Sequence, residues 1–426
     1  MEEILDFLIK AGNLKKMPRT GFVWLGVQEP ETIAQHSYRV ALMNWILGMK
    51  EKKKLDIEKV IKISLVHDIC EVYAGDMTPY WGLLPADPAQ RLEMLKHYIR
   101  LPKGVKVKRD RIKHVKEKKA LQKLIKDLDS KDRKEMMDHW MDYEKMASRE
   151  GRFVKQGDKV ETLLQALEYW GSTPDTPVMG WWEEVDEIVD DPVLRDFLDR
   201  LEKNFYGKKE SLGEIDFLMK IGKFKKMPRR GWVLREVKDP ETIVEHAFLM
   251  ALAVWLLGSK KRLNHEKMLK MSLAYEICEI YAGDSTPYDK LISGGNKNDV
   301  LKRWPKLLKK EKEKLFLQDY KKERKALEKL TANLNPGLKK ELIGLWDECK
   351  RQTTFEGTFV NQVYWLTTYL QALQYYKINK KFPIWGWYEQ VRQYIYDPLL
   401  IEFLDIEEKK FLSRKTIIEP NQQPVV

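Results

Sequence analysis

The stretch LVHDICEVYAGDMTPY (65–80) places His67, Asp68, Glu71 and Asp76 close together in the chain. Helical spacing of three and four residues predicts that Glu71 lies beneath both His67 and Asp68 on one face. His36 stands in AQHSYRVALMNWIL, where apolar neighbours predict an inward-facing side chain, and Asp158 falls early in FVKQGDKVETLLQALEYW (153–170). Two imidazoles and two carboxylates form the mixed nitrogen and oxygen set that suits Mn, Fe, Co, Ni or Zn, rather than an all-oxygen calcium site. Taken singly, each residue also has a purely structural reading.

The chain supplies its own comparison, because it is written twice. PRTGFVWLGVQEPETIAQHS (18–37) returns as PRRGWVLREVKDPETIVEHA (228–247), LVHDICEVYAGDMTPY as LAYEICEIYAGDSTPY (273–288), and FVKQGDKVETLLQALEYW as FVNQVYWLTTYLQALQYY (359–376). Apolar, Gly and Pro positions persist. The candidate ligands do not: Tyr275 and Glu276 stand for His67 and Asp68, and Tyr364 stands for Asp158. Tyrosine fills a vacated polar cavity with apolar area and a hydroxyl. His246 survives without its partners, so a histidine there also serves structure alone. Glu71, Asp76 and Arg19 persist as Glu279, Asp284 and Arg229, which leaves a structural role open for each.

The elements that must position these residues read as helices almost throughout. Ile4, Leu5, Leu8 and Ile9 form the face of a first helix ended by Gly12. Further helices are predicted over 32–47, 57–73, 131–148, 151–170 and 181–204, with counterparts over 242–257, 268–281, 336–350, 357–376 and 386–409. VWLGV and WVLREV look β-like but are short, and are predicted as extended loops. The fold class is all-α. Two units are expected, 1–205 and 213–410, joined by NFYGKKESLG (204–213) and followed by an unstructured tail over 411–426.

The ordered pattern PR-x-G-[FW], PE-[TS] leading to His36, then HD-x-x-E-x-hydrophobic-x-GD-x-x-P and FVKQ-x-D-x-x-E resembles the HD-domain metal-dependent phosphohydrolases, and within them the 5′-deoxynucleotidase branch. The likeness covers nearly all of the first copy and departs at about 81–126, where a longer basic insertion stands. It implies that His36, His67, Asp68 and Asp158 bind one divalent metal. It also implies that Glu71 orients or deprotonates the attacking water, that Asp76 handles the leaving oxygen or a sugar hydroxyl, and that Arg19 clamps phosphate. The expected reaction is hydrolysis of a (deoxy)nucleoside 5′-monophosphate. The alternatives are hydrolysis of a nucleoside triphosphate or signalling nucleotide, and a non-catalytic scaffold that binds nucleotides or polyanions. Related single-domain proteins are homodimers by the same resemblance, so the second copy is expected to be a degenerate domain that docks as a pseudo-dimer, with Tyr275 and Tyr364 closing the old metal cavity. The oligomeric state of the whole chain stays open.

Bulk properties narrow the setting. At 426 residues, 43% hydrophobic and 33% charged, the composition is that of a soluble globular protein. The opening MEEILDFLIK lacks a basic n-region, and apolar runs such as Met250–Leu257 are far short of the ~20 residues of a membrane span. A cytoplasmic location is expected, with Cys70, Cys278 and Cys349 as buried small hydrophobes. The net charge of +12 is concentrated: residues 101–126 hold eleven Lys/Arg against two Asp/Glu, and 291–330 hold thirteen against six. Segments 103–126 and 297–329 are read as solvated Lys/Glu-rich helices, with weak, non-specific nucleic-acid binding as the functional alternative. Phe22 is read as core rather than as a base-stacking residue.

Overall fold

The computed structural model describes every residue except 52–54, 79, 97–100, 102, 172–176, 208–212, 287–288, 290–308 and 413–426. The expected tail from residue 413 onward and parts of the expected linker and of the second basic segment therefore lie outside the described residues, whereas Phe411, expected in the tail, ends the helix Pro398–Phe411 and Leu412 is buried. Among the described residues all regular structure is helical, apart from two isolated bridges, Pro18 with Thr32 and Pro228 with Thr242. None of the described helices is long and apolar enough to cross a membrane.

The chain divides into two compact units. One comprises Phe7–Lys225 and Asn333–Leu338; the other comprises Met1–Asp6, Lys226–Ala332 and Lys339–Val426. This division by packing differs from the division by repeat, because residues 213–225 belong by sequence to the second copy.

The first unit is built from α1 (Glu2–Ala11, from Phe7 onward), α2 (Thr20–Trp24), α3 (Ile33–Gly48), α4 (Ile57–Val66), α5 (Glu71–Ala74), α6 (Pro88–Lys96), α7 (Lys103–Ile125), α8 (Ser130–Lys145), α9 (Arg149–Trp170), α10 (Val178–Ile188), α11 (Pro192–Tyr206) and α12 (Gly213–Phe224). Helix α3 is buried along its whole length and packs on α4 and α9, while α12 packs on α3 and α9. Its start is fixed by a capping box, in which Thr32 Oγ1 accepts from Gln35 N and Gln35 Oε1 accepts from Thr32 N. Asp56, Asp129 and Ser148 cap α4, α8 and α9 by accepting from the backbone N–H of Lys59, Asp132 and Gly151, each contributing about 1 kcal/mol.

Three expectations are corrected. The helix predicted over 57–73 is interrupted: α4 ends at Val66, and Ile69 N and Glu71 N bond to Val66 and Asp68 carbonyls in tighter i→i+3 turns. The second copy breaks at the same place, between Ala274 and Glu279, so the interruption belongs to the fold and not to His67. The helix predicted over 181–204 splits where Asp191 caps a new helix with Pro192 at its first position, and Asp397-Pro398 splits the 386–409 counterpart. Finally, VWLGV and WVLREV are not extended. They carry the short helices Thr20–Trp24 and Arg230–Val233, whose first N–H groups are taken by Asp76 and Asp284. The three cysteines are free and buried, and burial pushes each thiol up.

Candidate metal centre

The four proposed ligands come from three differently anchored elements. His36 lies on the first turn of α3, just past the capping box; His67 and Asp68 occupy the interruption after α4; Asp158 faces inward from α9. His67 Nδ1 lies 2.7 Å from the Ser64 carbonyl, an acceptor only, so Nδ1 donates there and Nε2 is the nitrogen left to face the site. His36 Nδ1 is engaged by Glu161 Oε2. The two Nε2 atoms face each other at 3.3 Å.

Around that pair, Asp158 Oδ1 is 3.1 Å from His36 Nε2 and 4.0 Å from His67 Nε2. Asp68 Oδ2 is 3.2 Å from His67 Nε2 and 3.8 Å from His36 Nε2. Ligand atoms about 2.1 Å from one transition metal stand about 3.0–3.4 Å apart in octahedral or tetrahedral geometry. His36, His67 and Asp158 therefore converge tightly enough to hold a single cation, and Asp68 stands beside them. Asp158 Oδ2 accepts from the Tyr143 hydroxyl at 2.7 Å, which orients the carboxylate. Burial and Arg19 push the His36 pKa down, yet Glu161 and Asp158 hold it at about 9. The carboxylates around His36 thus favour positive charge at its ring.

The other sequence-predicted residues gather at the same place. Glu71 is 2% exposed, and its Oε2 has no hydrogen-bond partner among the described residues. Burial and the Asp68 and Asp76 carboxylates push its pKa well above the usual range. Arg19 Nη1 donates to Asp68 Oδ2 at 2.9 Å, and its Nε is 3.8 Å from Asp76 Oδ2. That same Asp76 oxygen accepts from Thr20 N at 2.7 Å, and Asp284 accepts from Arg230 N at 2.5 Å in the second copy. The retained pair thus has a shared structural task, holding the helical turn that follows the arginine. Phe22 is 2% exposed against Tyr169 and Trp181, so it is core.

Several contributors were not singled out in the sequence. Lys113 on α7 lies 3.4 Å from Glu117, and its side chain is 37% exposed. Against burial, Glu117, Glu71, Asp68 and Asp76 hold its ammonium well above the ordinary range. Lys159 Nζ lies 3.8 Å from Asp158 Oδ2. Behind His36, Glu161 Oε1 accepts from Arg39 Nε at 2.6 Å, and Arg39 continues to Glu168 and Gln165. The copies signal this network too: Thr367, Leu249 and Gln374 stand for Glu161, Arg39 and Glu168, and Asp319 for Lys113.

In the second unit the positions equivalent to the candidate ligands are bonded differently. His246 Nδ1 pairs with Glu276 Oε2 at 2.9 Å and its Nε2 lies 3.0 Å from Thr367 Oγ1. Arg229 donates to the Tyr364 hydroxyl at 2.7 Å and to Thr368 at 3.0 Å. The Tyr364 ring packs on Tyr275 at 4.7 Å and on His246 at 5.1 Å, and Asn361 donates to the Tyr275 hydroxyl. The former ligand positions are tied to one another.

The first copy is thus an α-helical bundle that gathers histidine and aspartate from three separate elements around one point able to hold a cation. The chain belongs to the HD domain family, whose family model matches residues 11–185 and 221–393, once for each copy. HD domains bind divalent metals, and the first copy retains a residue set that fits one. Over 166 residues the chain is 34% identical to the 5′-deoxynucleotidase HDDC2 of Homo sapiens, covering 39% of this chain and 68% of that protein. It is also 34% identical over 174 residues to the Dictyostelium discoideum 5′-deoxynucleotidase HDDC2, covering 40% of this chain and 78% of that one. A solved structure of a conserved hypothetical protein from Pyrococcus furiosus shares 27% identity, with a TM-score of 0.34, over 46% of this chain and 98% of that one.

Proposed function

We propose that the first copy is a metal-dependent phosphomonoesterase that hydrolyses (deoxy)nucleoside 5′-monophosphates to nucleoside and phosphate. The observation that carries this reading is the convergence of His36, His67, Asp68 and Asp158 beside the unpartnered Glu71 oxygen and the Arg19 guanidinium. Bound there, a divalent transition metal (Mn, Co, Fe, Ni or Zn) would lower the pKa of water and neutralise phosphate charge.

The chain's own residues do the rest. Glu71 accepts the water proton through its unpartnered oxygen, which faces no competing donor among the described residues. Arg19 turns its planar fork from Asp68 to the phosphate oxygens. Asp76 keeps the Arg19 turn in place through Thr20 N and lies within reach of the leaving oxygen or a sugar hydroxyl. Lys113 and Lys159 add positive charge at the rim, which favours an anionic substrate. The second copy, with its ligand positions tied together, supports rather than performs catalysis.

The test is elemental analysis of purified protein together with a nucleotide panel, on wild type and His67→Ala. Stoichiometric metal and inorganic phosphate from monophosphates support the reading. Release of pyrophosphate or triphosphate moves the assignment to a more highly phosphorylated substrate, which the Lys113 ammonium at the rim would suit. Metal-free, inactive wild-type protein leaves a binding scaffold. The basic face of α7 is predicted to bind nucleic acid weakly and without sequence preference, since Lys116 and Lys123 already lie over the Trp81 and Tyr73 rings.

A further inference from the structure

On the side of His36 away from His67, a second acidic group closes: Glu31, His36 and Glu161 converge tightly enough to hold a cation of their own. That place already contains one. The Lys225 ammonium donates to Glu161 Oε1 at 2.7 Å and to Gln165 Oε1 at 2.8 Å, and it pairs with Glu31 Oε2. Lys225 is 2% exposed. Its carbonyl accepts from Gln35 Nε2 at 2.8 Å, so one lysine touches both the capping box of α3 and the inward face of α9.

By sequence this lysine belongs to the second copy, where it is the counterpart of Lys15; by packing it closes the unit that contains the first copy's ligands. Helix α12 brings it there. Glu214 at the start of α12 pairs with Lys50 and Arg200, and Gly222 lies so close to Glu168 and Arg39 that a Cβ would come within 1.9 Å of Glu168 Oε1.

The geometry gives the lysine a task beyond docking. Glu161 Oε1 receives two cations, Lys225 Nζ and Arg39 Nε, which fix the carboxylate so that Oε2 meets His36 Nδ1. An imidazole whose far nitrogen is held by an oriented carboxylate presents its other nitrogen in a fixed direction, and such outer partners strongly influence metal affinity. Glu161, Arg39 and Glu168 occur only in the copy that keeps the ligands, so this network follows the metal set and not the fold. We propose that Lys225 is a positioning residue of the first copy's metal centre, acting through Glu161 on His36, and that the second copy supplies it. This rests on the metal reading of the site.

The experiment titrates metal-stripped full-length protein with Co²⁺, reading d–d absorbance and the gain in thermal midpoint. Lys225→Met is expected to weaken Co²⁺ binding about 10–100-fold. Glu214→Gln, which loosens the same helix at its other end, should lower the thermal midpoint yet keep wild-type affinity and spectrum. In a Glu161→Gln background, Lys225→Met should change affinity less than about twofold, because the route through Glu161 is already cut. This comparison also carries the test should the single variant not fold. Wild-type affinity in Lys225→Met, an equal loss in Glu214→Gln, or additive losses in the double variant would each overturn the proposal. Wild-type protein that binds no Co²⁺, or His67→Ala that binds it normally, would instead sink the metal reading.

Discussion

Nε2 of His36 and Nε2 of His67 face each other at 3.3 Å, with each imidazole already held through its Nδ1 by an oxygen behind it. Two ring nitrogens so constrained gain most from a shared cation. Asp68, adjacent to His67 and bonded to Arg19, closes the set. Asp68→Ala is therefore expected to abolish turnover and metal retention together. The metal-dependent gain in thermal midpoint should vanish with them, since ligand at a hundred times its Kd stabilises the native state by about 2.7 kcal/mol. A variant with full metal content and full turnover would contradict the assignment.

The proposed reading has Glu71 act on water rather than on the metal. Glu71→Gln preserves shape and removes the proton acceptor, so kcat should fall by about 10²–10⁴-fold. Metal content measured on the same preparation should stay near wild type; loss of metal would mean that Glu71 is a ligand.

Gly157, one residue before Asp158, lies against Asn44, whose Oδ1 would stand 1.9 Å from an added Cβ. The second copy has Val363 and Val254 at these two positions, both buried. Gly157→Ala should cost about 1–3 kcal/mol by overpacking, break the Asn44–Ser64 hydrogen bond, and disturb Asp158. Copying the second pair, with Gly157→Val and Asn44→Val together, should restore most of the denaturation midpoint. An unaltered midpoint in Gly157→Ala would show that Asn44 moves aside freely.

Glu407 in the second unit is fully buried, and neither carboxyl oxygen has a hydrogen-bond partner among the described residues; Leu201 holds the equivalent place in the first copy. Burial first, and then Glu408, push its pKa well above the usual range. A raised carboxyl pKa favours the native state only while the group keeps its proton. Its contribution is complete below the ordinary glutamate range near pH ~4.3 and is lost as pH rises through the folded-state value. Glu407→Gln should accordingly match wild type in chemical denaturation near pH 4 and exceed it by roughly 1–3 kcal/mol at higher pH. A pH-independent difference would refute the buried neutral carboxyl.

His246 marks the limit of the metal reading. It is tied to Glu276 and Thr367, so His246→Ala should cost about 1–3 kcal/mol of stability through the unpaired Glu276 while turnover stays near normal. Loss of both metal and activity would reveal a second working centre.

The candidate ligands stood out because the chain carries its own altered copy: His67, Asp68 and Asp158 change together while their apolar surroundings persist. Glu161 was legible by the same rule, since Thr367 replaces it, but the 125 residues that separate it from His36 hid their hydrogen bond. Helix α3 was predictable from its apolar run and the Pro-Glu-Thr that opens it, whereas the turn at His67–Cys70 carries no Gly or Pro to announce it. Asp191-Pro192 does announce its break, as an N-cap followed by a residue suited to the first helical position. Lys225 was invisible to the comparison. Its charge is present in both copies, and its partners Glu31 and Glu161 lie 194 and 64 residues away.

The placement of α12 also acts as an evolutionary ratchet. On the proposed role of Lys225, a lysine from one copy set among the carboxylates of the other leaves the rest of the donor copy free to change but ties this segment to the first copy's site. Any shortening that ends at the linker leaves Glu31 and Glu161 buried together without the ammonium that now joins them. Drift is then free to act on the far parts of the second copy, and selection keeps the segment that reaches across.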